Sequence, residues 1–431
     1  MNDKLKIAVI GSGGREHAII RKLKNCERVL SITAIPGNGG IKEDVPCVDI
    51  EAGDVFAVTQ YCKDAKIDYV VVTPDDPLAL GMVDALAAAG IQSFGPVKAA
   101  AKLESSKIFA KNLMKKYNIP TADYHVFTES SGAIKYAREC FTSGKKALVV
   151  KADGLALGKG VTVCFSLKDT EAALHAAMDE KQFGASGEKV VIEEYLTGPE
   201  VSVLTFCDGR VIVPMLSGMD HKRARDNDEG PNTGGMGCIA PNPFYTPEIA
   251  EICMKTIFIP TVEAARKEAA PFKGCLYFGL MLTESGPKVI EYNCRFGDPE
   301  TQTILPLLET DLLSIMLACS DGSLKADMVR FKNEASACIV AASEGYPASY
   351  RTGCHISGIE AARSVDNVEV YCAGVKQENG ALISSGGRVL CVSASAPSLE
   401  QALQKAYRGI EAINFENKYF RTDIGRQALR S

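Results

Sequence analysis

The stretch Lys6–Ile20, KIAVIGSGGREHAII, constrains the fold more than any other segment. A run of Ile7, Ala8, Val9 and Ile10 meets a glycine turn, Gly11–Gly14, and helical spacing follows. A strand that feeds a helix through glycine predicts a parallel sheet with crossover helices. The β-branched runs VLSITAI and YVVVTP extend this pattern to about Pro96. LALGMVDALAAAGI, Leu78–Ile91, carries Asp84 and is too short to span a bilayer, so it reads as one packed helix.

The glycine turn does not complete a dinucleotide fingerprint. Gly11 and Gly13 match the first two glycines of G-x-G-x-x-G, but Glu16 stands at the third. The second strand ends at Ile35-Pro36 with no acid for ribose hydroxyls. A simpler property survives: a helix N-terminus with free N–H groups binds phosphate, and Gly13-Gly14 lets the anion approach. Arg15 in the first helical turn opposes the helix dipole unless an anion sits in the loop. PGNGG, Pro36–Gly40, offers a second flexible backbone cradle. A tight turn with surface charges is the competing reading.

The chain has 431 residues, enough for several domains of about 100–200 residues. A net charge of −5 without a basic tail gives no reason to expect nucleic acid or an anionic membrane as partner. MNDKLK runs straight into a strand, so no leader is expected and the cytoplasm is the expected compartment. Fifteen cysteines are scattered with no C-x-x-C pair, which suits small core residues in a reducing compartment. Ala100–Pro120 reads as one helix. Strands ALVVKAD, VTVCF and KVVIEEYL follow, with a helix between them capped by Ser166 and Asp169. Hairpins are expected at Asp208-Gly209 and Glu284–Gly286. From roughly Phe331 the chain reads as a small β unit closed by a helix capped by Ser398 and Gln401. The expected class is multidomain, α/β followed by α+β.

Four segments carry chemistry. In GLALGKG, Gly154–Gly160, a glycine-rich hairpin joins two strands as a flap. Lys151 precedes it and Lys159 lies in it; two ammonium groups around one glycine turn suit a polyphosphate. VVIEEYLTGPE brings an apolar strand to Glu193 and Glu194 at a cleft, where backbone groups suit an adenine edge and Glu200 suits ribose hydroxyls. In PKVIEYNCRFGDPETQ, Glu291, Asn293 and Arg295 are spaced by two and share one strand face, with Ile290, Tyr292 and Cys294 on the other. A carboxylate, an amide oxygen and a guanidinium on one face describe a magnesium–phosphate site. Ser217–Pro241 reads as a long functional loop, with Asn232, Thr233 and Gly234-Gly235 as a backbone cradle and Met236 as its anchor.

These residues resemble the ATP-grasp ligases and, within them, the phosphoribosylamine–glycine ligase family. VIGSGGREHA, PGNGG, FGPVKAAAKLESSK, VVKADGLALGKGV, EEYLTGPE, DHKRARDNDEGPNTGGMG and NCRFGDPETQ carry the likeness along the whole chain. Thr73-Pro74-Asp75, Met219 and Asn227 depart from the family's usual residues. The resemblance implies a Rossmann-like N-terminal domain over 1–103, a two-lobed ATP-grasp centre over 104–328 with a lid lobe at about 121–195, and a small C-terminal β-rich domain over 329–431. It implies ligation of glycine to 5-phosphoribosylamine with ATP as co-substrate, and Mg²⁺ or Mn²⁺ held by Glu291 and Asn293. Lys107, Lys151, Lys159, Glu193, Glu194, Leu196 and Glu200 would bind the nucleotide. Gly11, Ser12, Gly13, Gly14, Arg15, Glu16, Asn38 and Gly39 would hold the ribose phosphate, and Asp220, Pro231, Asn232, Thr233, Gly234, Gly235 and Gly297 would complete the substrate site. Arg295, Asp298 and Lys151 would act at the reacting carboxylate. No partner protein is implied, and a monomer is the simplest state. An NAD-dependent oxidoreductase, a non-catalytic nucleotide-binding regulator and another ATP-grasp ligase are the competing readings.

Overall fold

A computed structural model describes residues 4–156 and 159–430. Strands β1 (Leu5–Gly11), β2 (Val29–Pro36), β3 (Tyr69–Val72) and β4 (Gln92–Phe94) form a parallel sheet in the order β2-β1-β3-β4. Its two faces follow from the two-residue period of a strand. Ile7, Val9, Tyr69 and Val71 join Ile19, Ile20 and Leu23 in one core; Ala8, Ile10, Val70 and Val72 join Val58, Cys62 and Leu86 in another. The stretch expected as a single helix at 78–91 belongs to two, Asp75–Leu80 and Met82–Ala88. Gly81 separates them with φ +97°, a conformation glycine adopts without strain.

Strands β5 (Tyr124–Phe127), β6 (Leu148–Ala152), β7 (Val161–Cys164) and β8 (Val190–Glu194) make an antiparallel sheet in the order β5-β8-β6-β7. Leu148, Val150, Val190 and Ile192 share a core with Ala133, Ala137 and Leu174 of two covering helices. The same alternation turns Lys151 and Glu193 to the opposite face.

The third sheet spans the rest of the chain. It contains β9 (Glu200–Asp208) and β10 (Ile212–Asp220), and then, after the small hairpin β11 (Arg223–Arg225)/β12 (Glu229–Asn232), β13 (Gly237–Ala240). It continues with β14 (Lys273–Thr283), β15 (Gly286–Asn293), β16 (Ala335–Ser343) and β17 (Val368–Cys372). A second hairpin, β18 (Val375–Glu378)/β19 (Ala381–Ser384), precedes β20 (Arg388–Ala396) and β21 (Lys418–Tyr419). The order is β15-β14-β9-β10-β13-β16-β20-β17, with β21 beside β16. One expectation changes here. Residues 217–241 are largely strand and hairpin, with Met236 fully buried, because their polar backbone is paired in β10–β13. The C-terminal β unit is not a separate sheet: β16 pairs antiparallel with β13 and extends the central one.

Ala100–Pro120 is also two helices, Lys98–Ser105 and Lys107–Lys116. Ser106 leaves the helical region at φ −139° and caps the second helix by accepting from Phe109 N–H at 3.1 Å. The Asp153 carboxylate fixes the break by accepting from Ser106 Oγ and Ile108 N–H, each at 3.0 Å.

PGNGG proves to be packed rather than flexible. Asn38 accepts from Gly40 and Ile41 N–H and donates to the Ser12 and Cys372 carbonyls, and Gly39 N–H donates to the Val375 carbonyl. A Cβ on Gly39 would lie 2.6 Å from the Lys376 carbonyl carbon and 2.7 Å from Gln377 N, atoms that cannot swing aside. Gly39→Ala is expected to lose about 1–3 kcal/mol of stability, read as a lower denaturation midpoint, with nucleotide affinity unchanged.

Candidate active site

The break at Ser106 makes Lys107 the first residue of a helix and aims it at the flap: its Nζ donates to the Gly154 carbonyl at 2.8 Å. Burial lowers the Lys107 pKa, opposed chiefly by Glu291. Lys151, on β6, is buried; its Nζ donates to the Ile290 carbonyl at 2.9 Å and lies 3.1 Å from Glu193 Oε1. Lys111 reaches the other oxygen of Glu193 at 2.8 Å, and burial pushes its pKa down to about 8. The Glu193 side chain, at the strand end whose backbone groups were expected to read an adenine edge, is therefore enclosed between two lysines. Its backbone lies in the middle of the sheet, between β5 and β6. Glu194 pairs with Lys288 at 3.0 Å, and Leu196 follows the end of β8, half-buried. Lys159 is exposed, and its flap neighbours Leu157 and Gly158 lie outside the described residues.

The row on β15 is brought together with one change. A bulge sets Gly279 opposite Glu291 and Leu280 opposite Val289, leaving Ile290 as the extra residue. Tyr292 and Cys294 enter the core with Val289, whereas Ile290 is only partly buried and presents its carbonyl to Lys151. Arg295 lies past the end of β15, yet it stays beside the row by donating to Asn293 Oδ1 at 3.2 Å. Burial alone would raise the Glu291 pKa; Lys222, Lys151 and Lys107 outweigh it and hold the carboxylate ionised. Lys222 stands between Glu200 at 3.0 Å and Glu291 at 3.8 Å, so the carboxylate expected at ribose hydroxyls has a cation partner here.

The glycine turn faces the segment after β15. The Glu16 side chain is buried and turned inward: it accepts from Gly13 N–H at 2.6 Å, Arg15 Nε at 2.6 Å and Thr73 Oγ1 at 2.7 Å. The carboxylate thus locks the turn and occupies one of its N–H groups. Arg15 Nη1 donates to the Phe296 carbonyl at 3.0 Å. Asp298 Oδ2 would lie 3.3 Å from a Cβ on Gly13, and Gln302 donates to Asp298 Oδ1 at 2.7 Å. Burial would raise the Asp298 pKa, but Arg388, Arg15, Gln302 and Arg295 hold it below the ordinary range. Gly235 is buried with φ +110°; a Cβ there would meet Pro299 at 2.5 Å and Asp220 at 2.7 Å. Pro231, Asn232 and Gly234 are exposed and Thr233 half-buried, and Gly297 is packed against Glu300. Asp220 Oδ1 has no hydrogen-bond partner among the described residues; burial and Glu300 push its pKa well up.

Sequence reasoning missed Glu104, Lys111, Lys222, Gln302 and Arg388. Lys222 lay inside a charge-dense motif that signalled it; Arg388 followed a glycine pair far downstream, with nothing local to place it. Glu104 is buried beside Arg295 Nε at 3.4 Å and accepts from Cys294 N–H at 2.6 Å. Burial, opposed by Arg295, raises its pKa to about 7. The folded state then holds a proton that the unfolded chain has already lost, so stability falls as pH rises from the ordinary carboxyl range through about 7. Glu104→Gln is expected to flatten that fall, worth about 1–3 kcal/mol, in melting curves recorded across pH.

No helix among the described residues is long and apolar enough to cross a membrane. Profiles of phosphoribosylglycinamide synthetase match the chain in three parts: the N domain over residues 5–104, the ATP-grasp (A) domain over 105–301 and the C domain over 336–427. The chain is 44% identical to phosphoribosylamine–glycine ligase of Rhodopirellula baltica over 99% of its length and 98% of that protein's. It is 44% identical to the ligase of Clostridium acetobutylicum over 98% and 100%. The crystal structure of phosphoribosylamine–glycine ligase from Thermotoga maritima superposes with a TM-score of 0.82 at 31% identity, covering 97% of this chain and 100% of that one. The chain therefore belongs to the phosphoribosylglycinamide synthetase family, the phosphoribosylamine–glycine ligases, and is an ATP-dependent ligase with an ATP-grasp domain.

Proposed function

We propose that this chain joins glycine to 5-phosphoribosylamine, with cleavage of ATP to ADP and phosphate, giving glycinamide ribonucleotide for purine synthesis in the cytoplasm. The observation that carries this reading is the convergence of Lys107, Lys151 and Lys222 on Glu291, beside Asn293 and Arg295. Such a cluster suits γ-phosphoryl transfer, which is almost entirely positioning and charge neutralisation.

The residues also fit a divalent cation, Mg²⁺ or Mn²⁺. Glu291 is held ionised and Asn293 Oδ1 accepts one long hydrogen bond, so two hard oxygen donors stand together. Glu291 and Asn293 would hold the cation, with substrate phosphate and water supplying its remaining oxygen ligands. When bound, the cation neutralises phosphate charge as the γ-phosphoryl group transfers.

The chain's own residues do the rest. Lys107 and Lys151 hold the phosphates, with Lys159 arriving on the flap. Glu193 keeps Lys151 in place, the backbone past Glu194 through Leu196 borders the adenine, and Glu200 releases Lys222 to take ribose hydroxyls. Arg295 binds the glycine carboxylate. A carboxylate oxygen attacks the γ-phosphorus and ADP leaves; the ribosylamine nitrogen then attacks the acyl carbon, loses a proton, and phosphate leaves. No covalent enzyme nucleophile is required. Asp298 lies with Arg295 at the reacting carboxylate, and the turn Gly11–Gly14, with Arg15, receives the ribose phosphate end. Closure of the lid keeps water from the acyl phosphate.

The test is ADP release with glycine and freshly made phosphoribosylamine, each omitted in turn. Release that needs both supports the reading; release indifferent to glycine overturns it. ATP binding with no turnover would favour the regulator, and an NADH fluorescence change on adding protein would favour the oxidoreductase.

A further inference from the structure

Arg388 opens β20, in the C-terminal part of the chain, and reaches across to two segments distant in sequence. Its Nη1 donates to the carbonyls of Gly234 at 2.6 Å, Asp298 at 2.8 Å and Gly235 at 3.3 Å, and lies 3.4 Å from Asp298 Oδ1. Tyr346, from the same part of the chain, accepts from Gly234 N–H at 3.2 Å, so both polar groups of that exposed glycine are held from one side. Gly235 in turn packs on Pro299, next to Asp298. Around the Asp298 carboxylate stand Gly13 and Arg15 from the first turn, Gln302 from the following helix, Arg295 from the end of the β15 row, and Arg388. The Cys338 thiol of β16 also feels this carboxylate. Arg388 is the strongest of these electrostatic influences and the one supplied by the C-terminal sheet.

We propose that Arg388 is a positioning residue for the ligation: it fixes the Asp298 carboxylate, and the Gly234-Gly235 turn against it, on the reacting side of the cleft. This rests on the reading that Asp298 lies at the reacting carboxylate. Its guanidinium serves two purposes at once. Shared donation to three carbonyls sets the distance between the two segments, and the positive charge beside the carboxylate keeps Asp298 ionised. β20 is held on both sides, by β16 and β17, so the anchor is rigid.

The experiment uses the full chain and follows glycine-dependent ADP release across pH in Arg388→Met, Arg388→Lys, Asp298→Asn and the double variant Arg388→Met/Asp298→Asn. Removing the Arg388 charge lets burial raise the Asp298 pKa, so the acid limb of kcat/KM moves to higher pH. The expected result for Arg388→Met is about a tenfold or greater fall in kcat/KM for glycine, an acid limb displaced upward by about half a unit or more, and an ATP KM within about twofold of the wild type. Arg388→Lys keeps the charge and loses the shared donation, so its limb stays near the wild-type position while the rate falls. On the Asp298→Asn background, Arg388→Met is expected to add less than about threefold, since the two act through one group. An acid limb that stays in place in Arg388→Met, or effects that multiply independently in the double variant, overturns the proposal. Should Arg388→Met fail to fold, the comparison moves to Arg388→Lys, alone and with Asp298→Asn, where full multiplication of the two effects is the overturning result. A wild type without glycine-dependent release overturns the functional reading itself, whereas an active wild type with uncoupled variants removes only the role of Arg388.

Discussion

Glu291→Gln is expected to slow glycine-dependent ADP release about 30- to 1000-fold, a loss of roughly 2–4 kcal/mol of transition-state stabilisation. Glutamine keeps the volume and one oxygen but removes the charge. In the folded chain the half-buried Glu291 carboxylate lies 3.8 Å from Lys222, and the charges of Lys222, Lys151 and Lys107 hold its pKa below the ordinary value. On the proposed reading, loss of that charge weakens cation binding, and it leaves Lys222 with Glu200 as its one carboxylate partner among the described residues. The measurement is kcat at saturating magnesium, with circular dichroism to confirm the fold. A loss below about tenfold there counts against direct metal ligation by Glu291.

Lys151→Met is expected to reduce kcat/KM for ATP by about 10²–10³-fold, comparable to removing a key donor to a developing charge. The structure makes this a clean substitution. Glu193 would be a buried carboxylate stripped of one partner, but Lys111 remains 2.8 Å from its other oxygen. The methionine stem fills the space of the lysine stem, so the fold should persist. Thermal melting and ATP titration separate the two effects. Turnover at the wild-type rate in this variant would remove Lys151 from the nucleotide site.

The parts of the fold that were legible in the sequence are those set by local periodicity. Alternation in β1 and β3 gave the two-sided core, and Ser166 and Ser398 marked their helix starts, accepting from Asp169 and Gln401 N–H as their spacing implied. The breaks were not legible. Gly81 and Ser106 each sit in an unbroken run of helix-forming residues, and what ends the helix is a positive φ in one case and a distant carboxylate, Asp153, in the other. The bulge at Ile290 shifts one residue out of an otherwise regular alternation, which the sequence pattern does not reveal. In the candidate site, the row Glu291, Asn293 and Arg295, which the structure keeps together, was legible because its members are two residues apart. Partners far away in the chain were not. Lys111 and Arg388 act through contacts that only folding creates, and the orientation of Glu16 depends on Thr73, 57 residues on.

The continuity of the central sheet bears on how this chain can be cut. β13 is bordered by β10 on one side and by β16 on the other. A polypeptide stopped before Ala335 would leave β13 with a row of unmatched N–H and C=O groups, a template for self-association. It would also lose the strand that carries Arg388. The last hundred or so residues are thus not a detachable appendage: shortening or grafting at that seam removes a wall of the sheet and the Arg388 bridge to Gly234 and Asp298 in the same stroke.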